Sequence, residues 1–286
     1  LKAREYLESG ISCYQALVSS RGDPSQIPYT EEMVFLWAWL PHILFALGYP
    51  DQAVESSHQA LNRVQPDSHV HVKAKMLTVA GATFHTMTRD PKAVIRYADK
   101  VKALADEYHL PAFQGWAMFY RGWGRAVLGK TAEGLPEMDA GRDHLQATGT
   151  EASIVHLLIL QAEIYKNVGN ITESAEILGK ALSLAEQTNA QSSLAEIHRL
   201  HGELVMTEAS EAEGWFRQAI EVAQAQKAKL WELRATVNLA RLWQYQGRQT
   251  EAHQTLSDIY GWFTEGFDMP DLIKARSLLN TLAERS

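Results

Sequence analysis

The amino-acid sequence predicts an all-α protein, a solenoid of about six helix pairs with one further helix at each end. Apolar residues recur at helical spacing almost throughout the 286 residues, and the prolines fall mostly at breaks between helical segments. Small and turn-forming residues also recur about every 40 residues along three separate tracks. A fixed period of this length indicates stacked repeats, each made of one supersecondary unit.

The three tracks mark equivalent positions in successive repeats, with spacings between 38 and 41 residues on the first two. The first track lies in the middle of every other helix, at Pro41, Gly81, Gly122, Ala162, Gly202 and Ala240. The second lies early in the alternate helices, at Ala53, Ala93, Gly134, Ser174, Ala212 and Ala252. The third lies at the turn between them, at Gly48, Thr88, Gly129, Gly169, Thr207 and Gly247. Small residues let paired helices approach closely, and glycine can take the left-handed conformation that ends a helix.

These tracks divide the chain into three parts: an N-terminal helix and turn-rich linker over 1–29, six helical hairpins within 30–265, and a C-terminal capping helix over 266–286. We predict the hairpins at about 31–64, 68–108, 112–147, 150–187, 191–226 and 229–263. Asn170 with Glu173, and Ser210 with Glu213, have the spacing of a capping box at a helix start. The last helix would cover the apolar end of the stack.

Composition excludes several classes of partner. The formal net charge of −7 disfavours nucleic acid and anionic membrane surfaces, which require a concentrated positive face. No apolar run reaches the roughly 18 residues of a membrane span.

The single cysteine, Cys13, cannot form an internal disulfide. Because the first residue is Leu1 and no signal peptide pattern follows, we expect the sequence to be part of a longer protein.

The repeat resembles the tetratricopeptide repeat, with its central small residue, its turn glycine and its paired alanine positions. The usual period is 34 residues, whereas here it is about 40, so each helix runs about one turn longer. The resemblance implies a right-handed superhelix in which the first helix of each pair faces the concave surface.

The C-terminal segment is more specific than the repeat. Residues 260–268, followed by Pro270, Asp271, Leu272 and Ala275, resemble the end of the tetratricopeptide region in large bacterial proteins. Those proteins join a class III adenylate or guanylate cyclase, or a kinase, to a STAND-type ATPase. Residues 47–53, 199–204, 232–235 and 239–243 look similar to the same family. The resemblance implies cytoplasmic signalling, with cyclase and ATPase domains N-terminal to the repeats and no catalytic residue or cofactor within them.

Two motifs could carry chemistry. Residues 124–131 fit the phosphate-binding pattern G-x-x-x-x-G-K-[ST], but a working P-loop follows a strand, whereas Phe113 to Leu128 is predicted as a helix. Gly129 also falls on the turn track, so we expect a helix end and a turn. His198 and His201 lie three residues apart, but no HExxH or CxxC motif accompanies them, so we expect packing or groove-facing histidines rather than metal ligands.

A groove is predicted on the first helices. Counting back 13, 10, 6 and 3 residues from the turns gives candidate ligand-binding positions in four of the six hairpins. The candidates are Lys75, Thr78, His85, Trp116, Phe119, Trp123, His156, Glu163, Lys166, Arg234, Arg241 and Gln244. They predict a groove with an apolar middle and basic edges, although most of the large aromatic rings in the chain are expected to pack internally.

Three functions follow, in decreasing order of preference. The first is a non-catalytic module that binds a protein, a peptide or another domain of the same polypeptide, and so controls a linked ATPase or nucleotide cyclase. The second is a sensor that binds a small-molecule or peptide effector in the groove. The third is a nucleotide-binding enzyme that uses the P-loop match. We predict no catalytic residue, metal or cofactor.

Overall fold

A computed structural model of the chain describes residues 2–21, 31–65, 67–149 and 154–284, and every regular element in these ranges is helical. The α-helices are α1 (Lys2–Arg21), α2 (Glu31–Leu47), α3 (Pro50–Asn62), α4 (Val70–Met76), α5 (Phe84–Met87), α6 (Pro91–Glu107), α7 (Pro111–Val127), α8 (Thr131–Ala147), α9 (Ile154–Asn167), α10 (Ile171–Gln187), α11 (Leu194–Leu204), α12 (Ala209–Gln226), α13 (Lys229–Tyr245), α14 (Gln249–Tyr260) and α15 (Pro270–Ala283). A π-helical segment, Leu77–Thr83, joins α4 to α5, and a 3₁₀ turn, Gln191–Ser193, precedes α11. The predicted all-α fold of successive helix pairs is confirmed.

The chain divides into two compact units. Unit 1 comprises Leu1–Phe45 and Tyr49–Thr148, and unit 2 comprises Ala46–Gly48 and Gly149–Ser286. In unit 1, α7 packs against both α6 and α8. The division into a linker, six hairpins and a capping helix stays a prediction, because the linker falls mainly on residues 22–30, outside the described ranges.

Unit 2 contains three hairpins, α9–α10, α11–α12 and α13–α14, and α15 packs against both α13 and α14. Its first helices also contact one another in sequence order, because α11 packs against α9 and α13, and α13 packs against α15. Side chains from α9, α11, α13 and α15 can therefore meet on one face of unit 2.

Paired helices touch through their backbones at small residues, which include Gly122 and Gly134 of the first two tracks. A Cβ added to Gly122 of α7 would lie 2.6 Å from the carbonyl oxygen of Gly134 and 2.7 Å from the amide nitrogen of Met138. A Cβ on Gly141 of α8 would lie 2.5 Å from the amide nitrogen of Phe119. No rotamer can relieve a clash with backbone atoms, so only glycine permits this spacing.

Most of the turns end their first helix as the glycine track predicts. Gly129, Gly169 and Gly247 have φ values of +86°, +83° and +77°, a left-handed conformation that suits glycine. In the second hairpin the left-handed residue is Arg89, with φ of 59°, one position after the predicted Thr88.

The predicted turn at Thr207 lies where the chain reverses between α11 and α12, but its geometry differs from that of the glycine turns. Between α11 and α12 no residue takes a positive φ, and the chain reverses through backbone bonds from the amides of Val205 and Glu208 to the carbonyls of His201 and Val205.

The two predicted capping boxes have different outcomes. Asn170 caps α10, with its side-chain oxygen accepting a hydrogen bond from the amide of Glu173 at 3.4 Å. Ser210 caps nothing, because α12 already begins at Ala209 and its N-cap residue is Glu208.

We expect Gly122→Ala to lower the free energy of unfolding by about 2 kcal/mol, because the added methyl group would force α7 and α8 apart. The matched control is Gly179→Ala in α10, where an added Cβ meets no atom within 4 Å. That change should raise stability by about 0.5–1 kcal/mol through helix propensity. Urea unfolding followed by circular dichroism measures both. Equal effects of the two substitutions would contradict the backbone contact.

Candidate functional site

The predicted groove residues of unit 1 are mostly buried. Thr78 of the π-helical segment and His85 of α5 are buried. In α7, Phe119 is completely buried and Trp123 is 2% exposed. Lys75 and Trp116 are half-buried. Phe119 and Trp123 are therefore core residues and offer no open aromatic wall, so the predicted apolar middle of the groove is corrected at these two positions. Rings at helical spacing usually pack internally.

The π-helical segment positions Thr83 against α7. Its Oγ1 atom lies 3.0 Å from the carbonyl oxygen of Thr78, five residues earlier, and 2.8 Å from the hydroxyl oxygen of Tyr120. Burial raises the pKa of Tyr120 above its usual value, so the phenol stays protonated. The ring of Trp116 stacks on Tyr120 with a centroid distance of 5.7 Å. The periodicity of the sequence did not predict this π-helical segment. Within it, the carbonyl oxygen of Thr78 is bonded to the side chain of Thr83.

His85 is a buried, neutral imidazole. Its ring stacks on Tyr97 at 5.4 Å with an interplanar angle of 8°, and its Nδ1 atom lies 3.4 Å from the hydroxyl oxygen of Thr88. Burial lowers the pKa of His85 to about 4, with Asp90 opposing and Arg96 reinforcing that shift. The residue is thus packed within unit 1 rather than presented to a ligand.

Unit 2 places charged side chains together on its first helices, with Arg199 of α11 at the centre. The guanidinium donates to both carboxylate oxygens of Glu196 at 3.0 and 3.1 Å, and to Glu203 at 2.7 Å. Glu163 of α9 lies 3.9 Å from it. The Arg199 side chain is only 4% exposed, so its charge is compensated by carboxylates rather than by water.

Glu203 joins three helices. Besides Arg199, it accepts hydrogen bonds from the ammonium group of Lys166 in α9 and from the side-chain amide of Asn238 in α13, the latter at 2.6 Å. Burial acts to raise the pKa of Glu203, but Arg199 and Lys166 outweigh it and lower that pKa below its usual value. The carboxylate is therefore ionised and fixed in position.

Arg234 extends the contacts to the last helix. Its Nε and Nη2 atoms donate to the same oxygen of Asp271 in α15 at 3.0 and 2.7 Å, and its Nη1 atom reaches Glu196 at 3.4 Å. We call the connected set the ion network. Its members are Glu163, Lys166, Glu196, Arg199, Glu203, Arg234, Asn238 and Asp271.

Three predicted residues, Glu163, Lys166 and Arg234, belong to the ion network. His156 lies near it, and burial lowers the pKa of His156 to about 4 although Glu196 acts to raise it. Arg241 is exposed and Gln244 is half-buried, further along α13. The predicted basic edge is neutralised at Lys166 and Arg234, because both cations are paired with carboxylates.

Five members of the ion network were not among the predicted residues: Glu196, Arg199, Glu203, Asn238 and Asp271. The count covered four of the six hairpins, and Glu196, Arg199 and Glu203 lie in the first helix of the fifth hairpin, which it left out. A simpler signal was present, since Glu196 and Glu203 lie one period of 40 residues after His156 and Glu163. Asp271 has no such signal, because α15 lies outside the hairpin repeat.

The P-loop match is a helix end and a turn, as predicted. Its first residues close α7, Gly129 is left-handed, and Thr131 begins α8. No strand precedes it, so the backbone amides do not form a phosphate cradle.

The described residues offer neither a metal site nor a membrane-spanning helix. No group of three or more His, Cys, Asp or Glu side chains there could hold a metal ion. None of the described helices is long and apolar enough to cross a membrane.

We expect Arg199→Leu to lower the free energy of unfolding by about 3 kcal/mol, because it removes the buried cation that Glu196 and Glu203 share and leaves each partly buried carboxylate with fewer partners. The matched control is Arg217→Leu in α12, whose guanidinium is 53% exposed and pairs with Glu213 at 2.7 Å. That exposed pair should contribute less than about 1 kcal/mol. Urea unfolding at pH 7 measures both, and similar losses for the two variants would contradict a central role for Arg199.

We also expect His85 to make stability depend on pH. The unfolded imidazole binds a proton near pH 6.5 and the folded one near pH 4, so the unfolded state holds more protons in this window. Stability should therefore fall as the pH is lowered from 6.5 to 4, by about 3 kcal/mol from this residue. His85→Phe keeps an aromatic ring against Tyr97 and should remove that part of the loss, whereas His71→Phe, at an exposed position, should not. Urea unfolding across the pH range distinguishes them.

The comparisons with known proteins support the fold. No protein-family model matches the chain, and no curated protein does. Among solved structures, the apo form of RapI is similar with a TM-score of 0.62, covering 97% of this chain and 94% of its own at 11% sequence identity. At this identity the likeness shows a shared all-α helical fold and carries no statement about function.

Proposed function

We propose that this chain is a non-catalytic regulatory module that binds a segment of another protein, or of another domain of the same polypeptide, on the ion network of unit 2. The observation that carries this proposal is the presence of paired charges from four helices on one face. The arrangement offers hydrogen-bond donors and acceptors in fixed positions, as recognition of an extended or helical segment requires.

Stability alone is a poor reason for such a network. Burying paired charges costs desolvation energy, and apolar residues of similar volume would hold stacked helices together at least as well. The network is also not sealed from solvent, since the side chains of Glu203, Lys166 and Glu163 are 21%, 18% and 15% exposed. Preorganised polar groups at the edge of solvent are suited to binding, because little side-chain entropy is lost when a partner docks.

Arg241 and Gln244 extend this surface along α13. Arg241 is exposed, whereas the cations of the ion network are paired with carboxylates. We therefore propose Arg241 as the residue that meets an acidic group of the partner, with Asn238 and Glu203 contacting its polar backbone or side chains.

The alternative is a small-molecule sensor. Its support is the half-buried Trp116, stacked on Tyr120 in unit 1. This support is weaker, because Phe119 and Trp123 are core residues and leave Trp116 without the aromatic partners that an enclosed ligand site would use.

The biological setting is proposed from the resemblance of the C-terminal segment. We propose that the module acts in the cytoplasm and controls a linked ATPase or nucleotide cyclase. The test is the coding sequence upstream of Leu1 in the genome of origin. A cyclase, kinase or NTPase domain there is expected, and a secretion signal directly before Leu1 would contradict the proposal.

The binding proposal is tested with a phage-displayed library of random 16-residue peptides. Peptides enriched on the wild-type chain should bind Asn238→Ala and Arg241→Ala about tenfold more weakly, a loss of about 1.4 kcal/mol. Glu176→Ala, at an exposed position of α10, is the control and should change affinity less than twofold. Fluorescence anisotropy measures the affinities. Failure to enrich any peptide, or equal binding by all four proteins, would rule out the proposed surface.

A further inference from the structure

Helix α11 presents a second cluster of titratable side chains, on the side facing away from the ion network. Residues 196, 199 and 203 form one stripe of the helix, and residues 198 and 201 lie about half a turn around from it at 100° per residue. The rings of His198 and His201 both stack on Trp215 of α12, with centroid distances of 5.5 and 4.7 Å and interplanar angles of 27° and 19°. One indole thus contacts two imidazoles from adjacent turns.

Each imidazole has one nitrogen without a partner. Nδ1 of His198 and Nε2 of His201 are buried and have no hydrogen-bond partner among the described residues. The indole nitrogen of Trp215 is engaged with Glu211, at 3.4 Å. Unpaired buried nitrogens are compatible with neutral rings, whereas a proton added at either nitrogen would need an acceptor or water.

The surroundings of the two histidines have opposing effects on their pKa values, and the effects that lower the pKa are the larger. Burial lowers the pKa of both rings, and the neighbouring His198 lowers the pKa of His201 further. Glu186 of α10 and Glu211 of α12 act in the opposite direction. The charged side chains that α9 and α13 direct at α11 engage the opposite stripe instead, through Lys166 on Glu203 and Arg234 on Glu196.

We propose that His198, His201 and Trp215 form a proton-sensitive clasp between α11 and α12, which is closed when both imidazoles are neutral and loosens when either takes up a proton. Neutral rings stack on the indole without charge desolvation. A protonated ring must bring a charge and an unpaired N–H group into a partly buried site, and a second proton adds repulsion between two cations three residues apart.

The clasp bears on the ion network because both use the same helix. A loosened clasp lets α11 shift relative to α12, which moves Glu196, Arg199 and Glu203 relative to α9 and α13. The network is thereby weakened at acidic pH. That this also regulates partner binding rests on the proposed function, whereas the clasp itself does not.

The clasp is tested by NMR on the full chain with ¹⁵N-labelled tryptophan, titrated downward from pH 7.5 for as long as the circular dichroism is unchanged. The indole N–H signal of Trp215, assigned with Trp215→Phe, should shift with a midpoint below pH 6.5. The double variant His198→Phe/His201→Phe keeps two rings against the indole and should abolish the shift. His58→Phe, at an exposed position, is the control and should retain it. A Trp215 signal that does not move, or moves equally in the double variant, overturns the clasp.

The coupling to the ion network is read from the side-chain amide signals of Asn238, which donates to Glu203. These signals should shift over the same pH range in the wild type and stay fixed in His198→Phe/His201→Phe. If Trp215 titrates while Asn238 does not respond, the coupling is refuted. No partner enters either measurement, so failure of the peptide-binding experiment is distinguishable from failure of the clasp.

Discussion

Direct contact between the backbones of paired helices is the constraint on which the described structure depends. Where α7 meets α8, the Cβ position of Gly122 is occupied by the backbone of Gly134 and Met138. The same principle operates with a ring as the neighbour, since Gly202 of α11 faces the ring of Phe216 and Gly81 faces the ring of Tyr97. Because the helices approach closely, small side chains fill the space between them, as the dense packing of protein interiors requires. In unit 2, the first helices of successive hairpins then also pack against one another.

This packing has a consequence for polar residues. The stacked first helices α9, α11 and α13, together with α15, bring side chains from distant parts of the sequence within hydrogen-bond distance. Arg234 and Asp271 are separated by 37 residues, and Lys166 and Glu203 likewise by 37. Charges so close together compensate one another, so cations that look available in the sequence are engaged in the fold. A surface expected to be basic therefore becomes a balanced one, with Arg241 as its exposed cation.

The histidines discussed above lie in two kinds of environment. His85 is enclosed by unit 1, where burial is the largest of the effects that keep it neutral at physiological pH. His198 and His201 sit at a partly open boundary between α11 and α12, with carboxylates nearby. The difference between a structural imidazole and a responsive one is thus a matter of solvent access and neighbouring charge. Both properties arise only after helices from different positions in the chain have packed together.

The helical class, the helix pairing and most of the turns could be predicted from the sequence, because hydrophobic period, proline placement and turn glycines are local properties. The turn at Gly129, which the sequence distinguishes from a phosphate-binding loop, is one of these local features.

The candidate site was predictable only in part. Glu163, Lys166 and Arg234 lie on the expected track, but the count included no residue of α11, and Thr78 and His85, which it did include, are buried. Whether Phe119 faced a groove or the core, and which carboxylate neutralised each cation, was decided by the tertiary structure. Burial and charge pairing are set by neighbours far away in sequence, and one chain's periodicity contains no information about them.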